Sequence, residues 1–277
     1  MIDLNAYLSF ENGRTVLDKL PCFDPFLSSD CGQAFRWVKD DSGILSGVIG
    51  RCVVHVEQLA PGRFAFDAEK EFFLETVAPY FDLFRDYEAI IKKYDDPHLI
   101  EAVGHCPGIR IMKQDEWEAL CSFIISQNNN IPRIKGIIER LCAAFGERID
   151  ETHFSFPSVE KLAPLSVEDL APLRAGFRAK YIIDAARKVS GGEVDLERIS
   201  SLSLDEAEEE LKKIKGVGKK VAMCALLYGF GMIDAFPEDV WVKRIMAELY
   251  PEGLPECTDG TRGIAQQYLF TWYRDIS

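Results

Sequence analysis

The chain has 277 residues, of which 47% are hydrophobic and 11% aromatic, so it can form one large domain or two with a sizeable core. No apolar run approaches the roughly 18 residues of a transmembrane helix, and the N-terminus lacks the basic and apolar regions of a signal peptide. The net charge of −13 argues against tight nonspecific binding to nucleic acid. It does not exclude DNA binding, because lysines cluster locally at 212–220 and the local field governs docking.

The eight cysteines form no Cys-x-x-Cys pair, which argues against a zinc site and against a cysteine-ligated iron–sulfur cluster. Their scattered positions are typical of reduced cysteines in a reducing compartment. We therefore expect no cofactor, no membrane partner and a cytoplasmic location. A bacterial or archaeal nucleoid fits best, and a nuclear location is not excluded.

Residues 1 to about 95 are predicted to be mostly β. Cys31–Val38 and Ile44–Glu57 are strand candidates because they are rich in β-branched and aromatic residues. Turn signals at 41–43 and 61–62 separate the candidates. Within this part, the spacing of aromatic residues over 70–94 predicts a helix.

From about residue 96 onward the chain is predicted to be helical. Apolar spacing predicts a helix over Gln114–Ser126, which three asparagines then interrupt. Asn130 is a candidate cap of the next helix, with Pro132 in its first turn. Ser203 and Glu206 match a capping box that opens a further helix.

A glycine turn at Gly216, Val217 and Gly218 separates two predicted helices, and Lys219 and Lys220 follow it. The glycines permit positive φ and close approach of another backbone. The free N–H groups of the helix that follows can bind a phosphate whatever the base sequence. The turn therefore predicts a site for the DNA backbone.

Lys220 and Asp239 are the candidate catalytic residues. Lys219 and the positive helix end both favour the neutral amine that a lysine nucleophile needs. Asp239 follows Lys220 by 19 residues and is a predicted N-cap, which would hold its carboxylate facing an electron-poor centre. The pair suggests attack on a sugar carbon of DNA.

Five segments spread over the chain resemble, in family order, the 8-oxoguanine DNA glycosylases of the helix-hairpin-helix superfamily. They are Cys-Gly-Gln-Ala-Phe-Arg-Trp (31–37), Ser-Phe-Ile-Ile-Ser-Gln-Asn-Asn-Asn-Ile-Pro-Arg (122–133), Gly-Phe-Arg-Ala-Lys-Tyr (176–181), the hairpin with its aspartate (205–244) and Gly-Ile-Ala-Gln-Gln-Tyr-Leu-Phe (263–270). The resemblance implies an α+β fold. An N-terminal antiparallel β domain (TBP-like), 1–96, would contribute to the lesion pocket, and a helical glycosylase domain, 97–277, would follow.

The resemblance also implies a function in base excision repair, as a bifunctional glycosylase and abasic-site lyase acting as a monomer. The DNA partner would be a duplex with 8-oxoguanine opposite cytosine, and the lesion would be flipped into a pocket. Lys220 would be the nucleophile and Asp239 would stabilise positive charge. The residues implied to contact the flipped base are Gly32 through its carbonyl, Gln266 on the Watson–Crick edge, and Phe270 and Cys224 on the two faces.

Further residues are implied to contact DNA. Asn128 would fill the vacated stack, Arg133 and Arg178 would contact the orphan cytosine, and Phe177 would be a wedge. Gly216, Val217 and Gly218 would hold phosphate, aided by a monovalent cation on the main-chain carbonyls of Lys212, Ile214 and Val217. Phe177 replaces a frequent tyrosine, and Trp241 stands where some relatives have a phosphate-contacting histidine.

Two alternatives remain at this level. An alkylated-base glycosylase of the same superfamily would keep Asp239 and use water as the nucleophile, without lyase activity. A noncatalytic module would use the hairpin only to dock on DNA. Lys220 and the segment around Gly32 favour 8-oxoguanine over alkylated bases, and Asp239 with the complete set of pocket residues argues against the noncatalytic module.

Overall fold

A computed structural model describes all residues from Met1 to Ser277. Six strands form one sheet in the order β1-β2-β6-β5-β4-β3, with antiparallel neighbours. Helices make up most of the rest, so the predicted α+β class is confirmed. The strands are β1 (Leu8–Glu11), β2 (Arg14–Asp18), β3 (Trp37–Lys39), β4 (Leu45–Ile49), β5 (Cys52–Ala60) and β6 (Arg63–Phe66).

Fourteen α-helices of three to fifteen residues follow one another along the chain. A π-helical turn, Phe73–Val77, joins the second to the third. The helices are α1 (Pro25–Asp30), α2 (Lys70–Phe72), α3 (Ala78–Tyr80), α4 (Tyr87–Ile91), α5 (Pro97–His105), α6 (Glu116–Ser126), α7 (Ile131–Phe145), α8 (Val159–Leu162), α9 (Ala179–Ser190), α10 (Leu196–Ile199), α11 (Leu204–Lys212), α12 (Lys219–Tyr228), α13 (Val240–Leu249) and α14 (Arg262–Ile276).

By its contacts the chain divides into two compact units. Unit 1 comprises Met1–Ile49, Val54–Lys113 and Glu238–Ser277, and unit 2 comprises Gly50–Val53 and Gln114–Pro237. The C-terminal helices α13 and α14 therefore belong to the unit that holds the sheet. The division predicted along the sequence between residues 96 and 97 stays a prediction.

The predicted strand over Cys31–Val38 is wrong for its first six residues. Only Trp37–Lys39 is a strand, and residues 31–36 form an irregular loop after α1. Gly32 has φ of +82°, which breaks the extended pattern. The side chain of Gln33 bonds to the backbone of Ser28, Arg110 and Met112, so side-chain bonds and not strand pairing hold this loop.

The sheet of unit 1 packs its apolar face on a cluster of aromatic rings. Phe66 meets Phe73 edge to face at 4.9 Å between centroids, and Trp37 lies 5.3 Å from Phe81. Gly47 is opposite Trp37 in the β3–β4 register, and a Cβ there would come within 2.3 Å of the Trp37 ring. The missing side chain therefore makes room for the indole in the core.

The helix predicted over residues 70–94 is broken into shorter pieces. The π-helical turn interrupts its first half, and residues 81–86 lie between α3 and α4. Asp82 in that gap has φ of +51°, which an α-helix does not tolerate. Periodicity detected the apolar face of this segment and missed the turn within it.

In unit 2 the central helices are α6 and α12. Residues Trp117–Ile125 of α6 and Val221–Tyr228 of α12 are all buried, so both helices are enclosed on every side. Their rings Phe123 and Tyr228 stack at 5.2 Å. This packing fixes the position of α12, the helix that begins with the two lysines.

The predicted helix caps are confirmed. The Asn130 side chain accepts from the Arg133 amide, Ser203 and Glu206 form the reciprocal capping box, and Asp239 accepts from the Val242 amide. The helix expected from Gln114 begins two residues later at Glu116, with Asp115 as its cap. No helix is long and apolar enough to cross a membrane.

Candidate active site

The glycine turn of unit 2 leaves the start of α12 open. Gly218 is the N-cap of α12 and has no side chain. No capping side chain therefore accepts a hydrogen bond from the first N–H groups of the helix. A Cβ built on Gly218 would meet no atom within 4 Å. The space beside Gly218 is therefore open, which leaves room for a phosphate at this helix end.

Two residues of α9 that the sequence did not single out support this turn. Gly216 has φ of +82°, and a Cβ there would come within 2.4 Å of the Tyr181 ring. The carboxylate of Asp184 accepts from the Lys215 amide at 2.7 Å. Tyr181 stands in a motif that was recognised, whereas nothing in the sequence around Asp184 indicates its role.

The two lysines differ in burial, since Lys220 is half-buried and Lys219 is exposed. The Lys220 Nζ lies 3.3 Å from the Ser126 hydroxyl oxygen and 5.6 Å from the centroid of the Phe123 ring. Ser126 in turn donates to the Phe123 carbonyl at 2.8 Å, so its oxygen is oriented to accept from the amine. The sequence did not indicate this contact of Ser126 with the Lys220 amine.

Cys224 lies one turn beyond Lys220 on α12, on the same face of the helix. Its side chain is buried, with 4% exposed, and it forms no disulfide. The lysine and the cysteine are therefore brought together at one end of a fixed helix.

The loop between α6 and α7 presents Asn128. This residue is exposed, has φ of +46°, and its side chain makes no hydrogen bond within the protein. The Arg178 guanidinium, 2% exposed, donates to the carbonyls of Gln127, Asn128 and Ala175. Burial, and then the charge of Arg133, lower the pKa of Arg178.

Arg133 and Phe177 are the exposed members of this group. Arg133 lies in the first turn of α7. The Phe177 ring is 45% exposed and lies 4.5 Å from the Arg178 guanidinium carbon. The structure thus collects the four residues implied to enter DNA on one side of unit 2, with Arg178 below the surface.

In unit 1, Asp239 caps α13 through one carboxylate oxygen. Oδ1 accepts from the Val242 amide at 2.8 Å, and Oδ2 has no hydrogen bond. The neighbouring Val240 is 79% exposed, and the Trp241 ring lies 5.4 Å from the guanidinium carbon of Arg244. The cap holds the charge in place and leaves half of the carboxylate available.

The loop that carries Gly32 is held by two glutamine side chains. Gln33 donates to the carbonyls of Ser28 at 2.9 Å and Arg110 at 2.8 Å, and accepts from the Met112 amide at 2.8 Å. Gln267 of α14 donates to the Cys31 carbonyl at 3.0 Å. The sequence does not indicate these roles, because the Arg110, Met112 and Cys31 partners are backbone atoms far along the chain.

Helix α14 of the same unit carries Gln266 and Phe270 one turn apart. Gln266 is 4% exposed, and its Oε1 has no hydrogen-bond partner. A buried oxygen left unpaired costs about 1–3 kcal/mol. Such an atom is satisfied when a ligand donates to it, so the helix presents an acceptor that the protein itself does not use.

The predicted residues divide between the two units. Unit 2 holds Lys220, Cys224, the glycine turn, Asn128, Arg133, Phe177 and Arg178, and unit 1 holds Gly32, Asp239, Trp241, Gln266 and Phe270. No group of three or more His, Cys, Asp or Glu side chains could hold a metal ion.

Two family models together match most of the chain. The model of the 8-oxoguanine DNA glycosylase N-terminal domain matches residues 20–120, and that of the HhH-GPD superfamily of base excision DNA repair proteins matches residues 121–255. The solved structure of MBOgg1 in complex with a low-affinity DNA ligand is 38% identical, with a TM-score of 0.90 over 97% of this chain and 98% of that one. The chain belongs to the 8-oxoguanine DNA glycosylase/lyase family.

Two further relatives agree with this membership. The structure of the Clostridium acetobutylicum 8-oxoguanine glycosylase/lyase, bound to double-stranded DNA with cytosine opposite 8-oxoguanine, is 36% identical, with a TM-score of 0.89 over 97% of this chain and 98% of that one. The probable N-glycosylase/DNA lyase of Methanothermobacter thermautotrophicus is 32% identical over 67% of this chain. That match spans 66% of the relative, just under two thirds of its length.

Proposed function

We propose that this protein is a bifunctional DNA glycosylase and abasic-site lyase that excises 8-oxoguanine, preferably opposite cytosine, in base excision repair. The observation that carries the proposal is the half-buried Lys220 amine, held by Ser126 at the open end of α12. The partner is double-stranded DNA, bound by a monomer, and the place of action is the cytoplasm of a bacterial or archaeal cell.

The proposed reaction begins with attack of the neutral Lys220 amine on C1′ of the flipped nucleotide. The bond from C1′ to the base breaks, and its electron pair leaves with the base. The transition state resembles an oxocarbenium ion, as in glycoside hydrolysis, and the Asp239 carboxylate stabilises its positive charge. A fixed charge does this best, and the α13 cap fixes this one.

The lyase step follows from the covalent bond to lysine. The aminal opens to a Schiff base between Lys220 Nζ and C1′. Loss of a proton from C2′ then expels the 3′ phosphate oxygen and cuts the strand. Water as the nucleophile would stop after base loss, so strand cleavage separates this proposal from an alkylated-base glycosylase.

Recognition of the lesion is proposed to use backbone and side-chain acceptors of unit 1. Guanine N7 is an acceptor, whereas N7 of 8-oxoguanine carries a hydrogen and donates. The Gly32 carbonyl would attract the lesion and repel guanine. The unpaired Oε1 of Gln266 supports a second contact, to the donors on the Watson–Crick edge, with Phe270 and Cys224 covering the two faces of the base.

A single such contact is too weak to explain selectivity. About 1–3 kcal/mol corresponds to roughly 10- to 100-fold. Competing sites in a genome number on the order of 10⁶ or more. Base flipping, the fit of the pocket and the contacts of Arg133 and Arg178 with cytosine must therefore supply the rest.

The DNA backbone is proposed to bind at the amides of Gly216, Val217 and Gly218 and the start of α12. The nearby carbonyls of Lys212, Ile214 and Val217 are neutral oxygen donors, which suit a monovalent cation. Such a cation would supply positive charge between the turn and a phosphate. Trp241 is proposed to contact DNA through its indole ring, beside Asp239. Some relatives have a histidine at this position.

The test is cleavage of duplexes that carry one defined lesion. We expect strand nicking at 8-oxoguanine opposite cytosine without alkaline treatment, slower nicking opposite the other bases, and no release of alkylated bases. Base release that requires alkali to cut the strand would favour the water-dependent enzyme. Binding without any base release would favour the noncatalytic docking module.

A further inference from the structure

Arg178 is more deeply embedded than a residue that only contacts cytosine needs to be. Its side chain is 2% exposed, and no carboxylate pairs with it. Of the five N–H donors of a guanidinium, four bind carbonyl oxygens: Nε and one Nη2 donor bind Gln127, the other Nη2 donor binds Asn128, and one Nη1 donor binds Ala175. One donor remains for a base.

The two carbonyls in the loop are those on either side of the Asn128 Cα. The Gln127 carbonyl lies in the peptide plane that sets φ of Asn128, and the Asn128 carbonyl lies in the plane that sets ψ. Holding both planes fixes the backbone of Asn128, whose φ of +46° is in the left-handed region. Asparagine tolerates that region better than most residues other than glycine, and the Arg178 bonds to both peptide planes hold Asn128 in it.

The same guanidinium supports the second residue that enters DNA. The Phe177 ring lies 4.5 Å from the guanidinium carbon, within the range of a cation–π contact. The Tyr181 ring also packs against Phe177, edge to face, with 5.8 Å between the centroids. Asn128 and Phe177 come from segments about 50 residues apart in the chain, and Arg178 is the group that touches both.

We infer that Arg178 is a positioning residue that joins Asn128 and Phe177 into one preformed wedge before DNA binds. This inference rests on the proposed function and adds to it. A wedge formed in advance drives the lesion out of the duplex whatever base is opposite. A residue that only reads cytosine acts only when cytosine is there.

Arg133 provides a matched control. It is also implied to contact cytosine, but it is exposed and its side chain makes no hydrogen bond with the protein. Arg133→Gln and Arg178→Gln remove the same charge. Only Arg178→Gln also removes the hydrogen bonds to the carbonyls of Gln127 and Asn128.

The first measurement is amide hydrogen exchange over residues 126–131 in the free protein. We expect faster exchange in Arg178→Gln and unchanged exchange in Arg133→Gln, with similar thermal midpoints for the rest of the fold. Unchanged exchange in Arg178→Gln overturns the inference. This readout needs no activity, so it holds even if the proposed function fails.

The second measurement is single-turnover excision of 8-oxoguanine opposite cytosine and opposite a tetrahydrofuran site that has no base. We expect Arg178→Gln to be about 10- to 100-fold slower on both duplexes, as misplacement of a positioned group predicts. Arg133→Gln should be slow only opposite cytosine. Recovery of Arg178→Gln opposite the tetrahydrofuran site overturns the inference.

Cleavage of an abasic site in single-stranded DNA is the internal control, because this substrate needs no flipping. We expect Arg178→Gln to lose less of this activity than of 8-oxoguanine excision from a duplex, because a wedge acts only on a duplex. An equal loss of this activity in Arg178→Gln means that the substitution reaches the chemistry, and it overturns the wedge. Failure of the wild type on every substrate rejects the proposed function instead, and the exchange measurement then decides the inference alone.

Discussion

The loop at Gly32 and the turn at Gly216–Gly218 are both proposed to offer backbone atoms to DNA, and they are held in different ways. The loop of unit 1 is fixed by side-chain amides, with Gln267 reaching the Cys31 carbonyl across 236 positions of the chain. The turn of unit 2 is fixed by the positive φ of Gly216, by the two helices that it joins, and by Tyr181 and Asp184 of α9. The carbonyl proposed to read the base is thus supported by a bond from a distant helix, whereas the turn proposed to bind phosphate is supported from much nearer in the chain.

The proposed reaction uses side chains and not the backbone of either region. We therefore expect the largest loss of excision rate when a charged side chain is changed. Asp239→Asn should slow excision by about 10²- to 10³-fold, the cost of removing one electrostatic contact to a transition state. Because asparagine caps helices about as well as aspartate, thermal unfolding should hardly change. The measurements are single-turnover excision and thermal unfolding.

Asp86→Asn is the control for that substitution. Asp86 also caps a helix of unit 1, accepting from the Ala89 amide at 2.9 Å, and it has no proposed role on DNA. Its activity should match that of the wild type. A loss of less than tenfold in Asp239→Asn, or an equal loss in both variants, would remove Asp239 from the proposed reaction.

The next largest effect should appear in the loop of unit 1. Gln33→Ala leaves buried backbone groups unpaired, each at about 1–3 kcal/mol, and should lower the free energy of unfolding in urea. Gln267→Ala removes the bond to the Cys31 carbonyl and a weaker one to the Thr271 hydroxyl. It should slow 8-oxoguanine excision by about tenfold, while nicking of a preformed abasic site, which has no base to read, stays unchanged.

The exposed Gln58 on β5 serves as the control, and Gln58→Ala should change neither activity nor stability. The interpretation of Gln267 fails if abasic-site nicking falls together with excision. It also fails if Gln267→Ala excises 8-oxoguanine at the wild-type rate.

The turn of unit 2 should separate folding from DNA binding at two neighbouring glycines. Gly216→Ala combines positive φ with a clash against Tyr181 and should destabilise the protein by about 1–3 kcal/mol. Gly218 has φ of −100° and open space around it, so Gly218→Ala should fold normally. Its methyl group would stand where a phosphate approaches, and affinity for undamaged duplex should fall by severalfold.

Thermal unfolding and a binding titration at fixed salt measure both variants. If Gly218→Ala binds DNA like the wild type, the open end of α12 is not the phosphate site. If Gly216→Ala is as stable as the wild type, the contact with Tyr181 does not hold the turn.

The smallest effect concerns Cys31, next to Gly32. Burial raises the pKa of its thiol to about 12, so the thiol stays neutral and unreactive well above neutral pH. Iodoacetamide at pH 8 should modify the exposed Cys52 and spare Cys31, as peptide mapping can show. Rapid modification of Cys31 would mean that the loop opens readily.

The contrast between the two regions also explains what the sequence could predict. The hairpin, the caps at Asn130, Ser203 and Asp239, and the C-terminal α12 and α13 helices depend on residues within a few positions, so local patterns predicted them. The loop at residues 31–36 was predicted as a strand because its residue types favour β structure. Its actual shape depends on Gln267 and Met112, which no local pattern connects to it.

The site shows the same limit. The family motifs along the chain indicated the residues implied to contact DNA. They did not indicate the residues that position them, such as Ser126 beside Lys220 and Asp184 beside Lys215. Each acts through one bond to an atom far along the chain. Such bonds become visible only when the helices are placed together.

The most direct test of the account is borohydride trapping on a duplex with 8-oxoguanine opposite cytosine. Borohydride reduces a Schiff base and leaves the protein covalently bound to DNA, so the adduct reports the nucleophile. Lys220→Gln should abolish the adduct, and the exposed neighbour variant Lys219→Gln should form it like the wild type. An adduct that survives in Lys220→Gln, or is lost equally in Lys219→Gln, would contradict the assignment of Lys220 as the nucleophile.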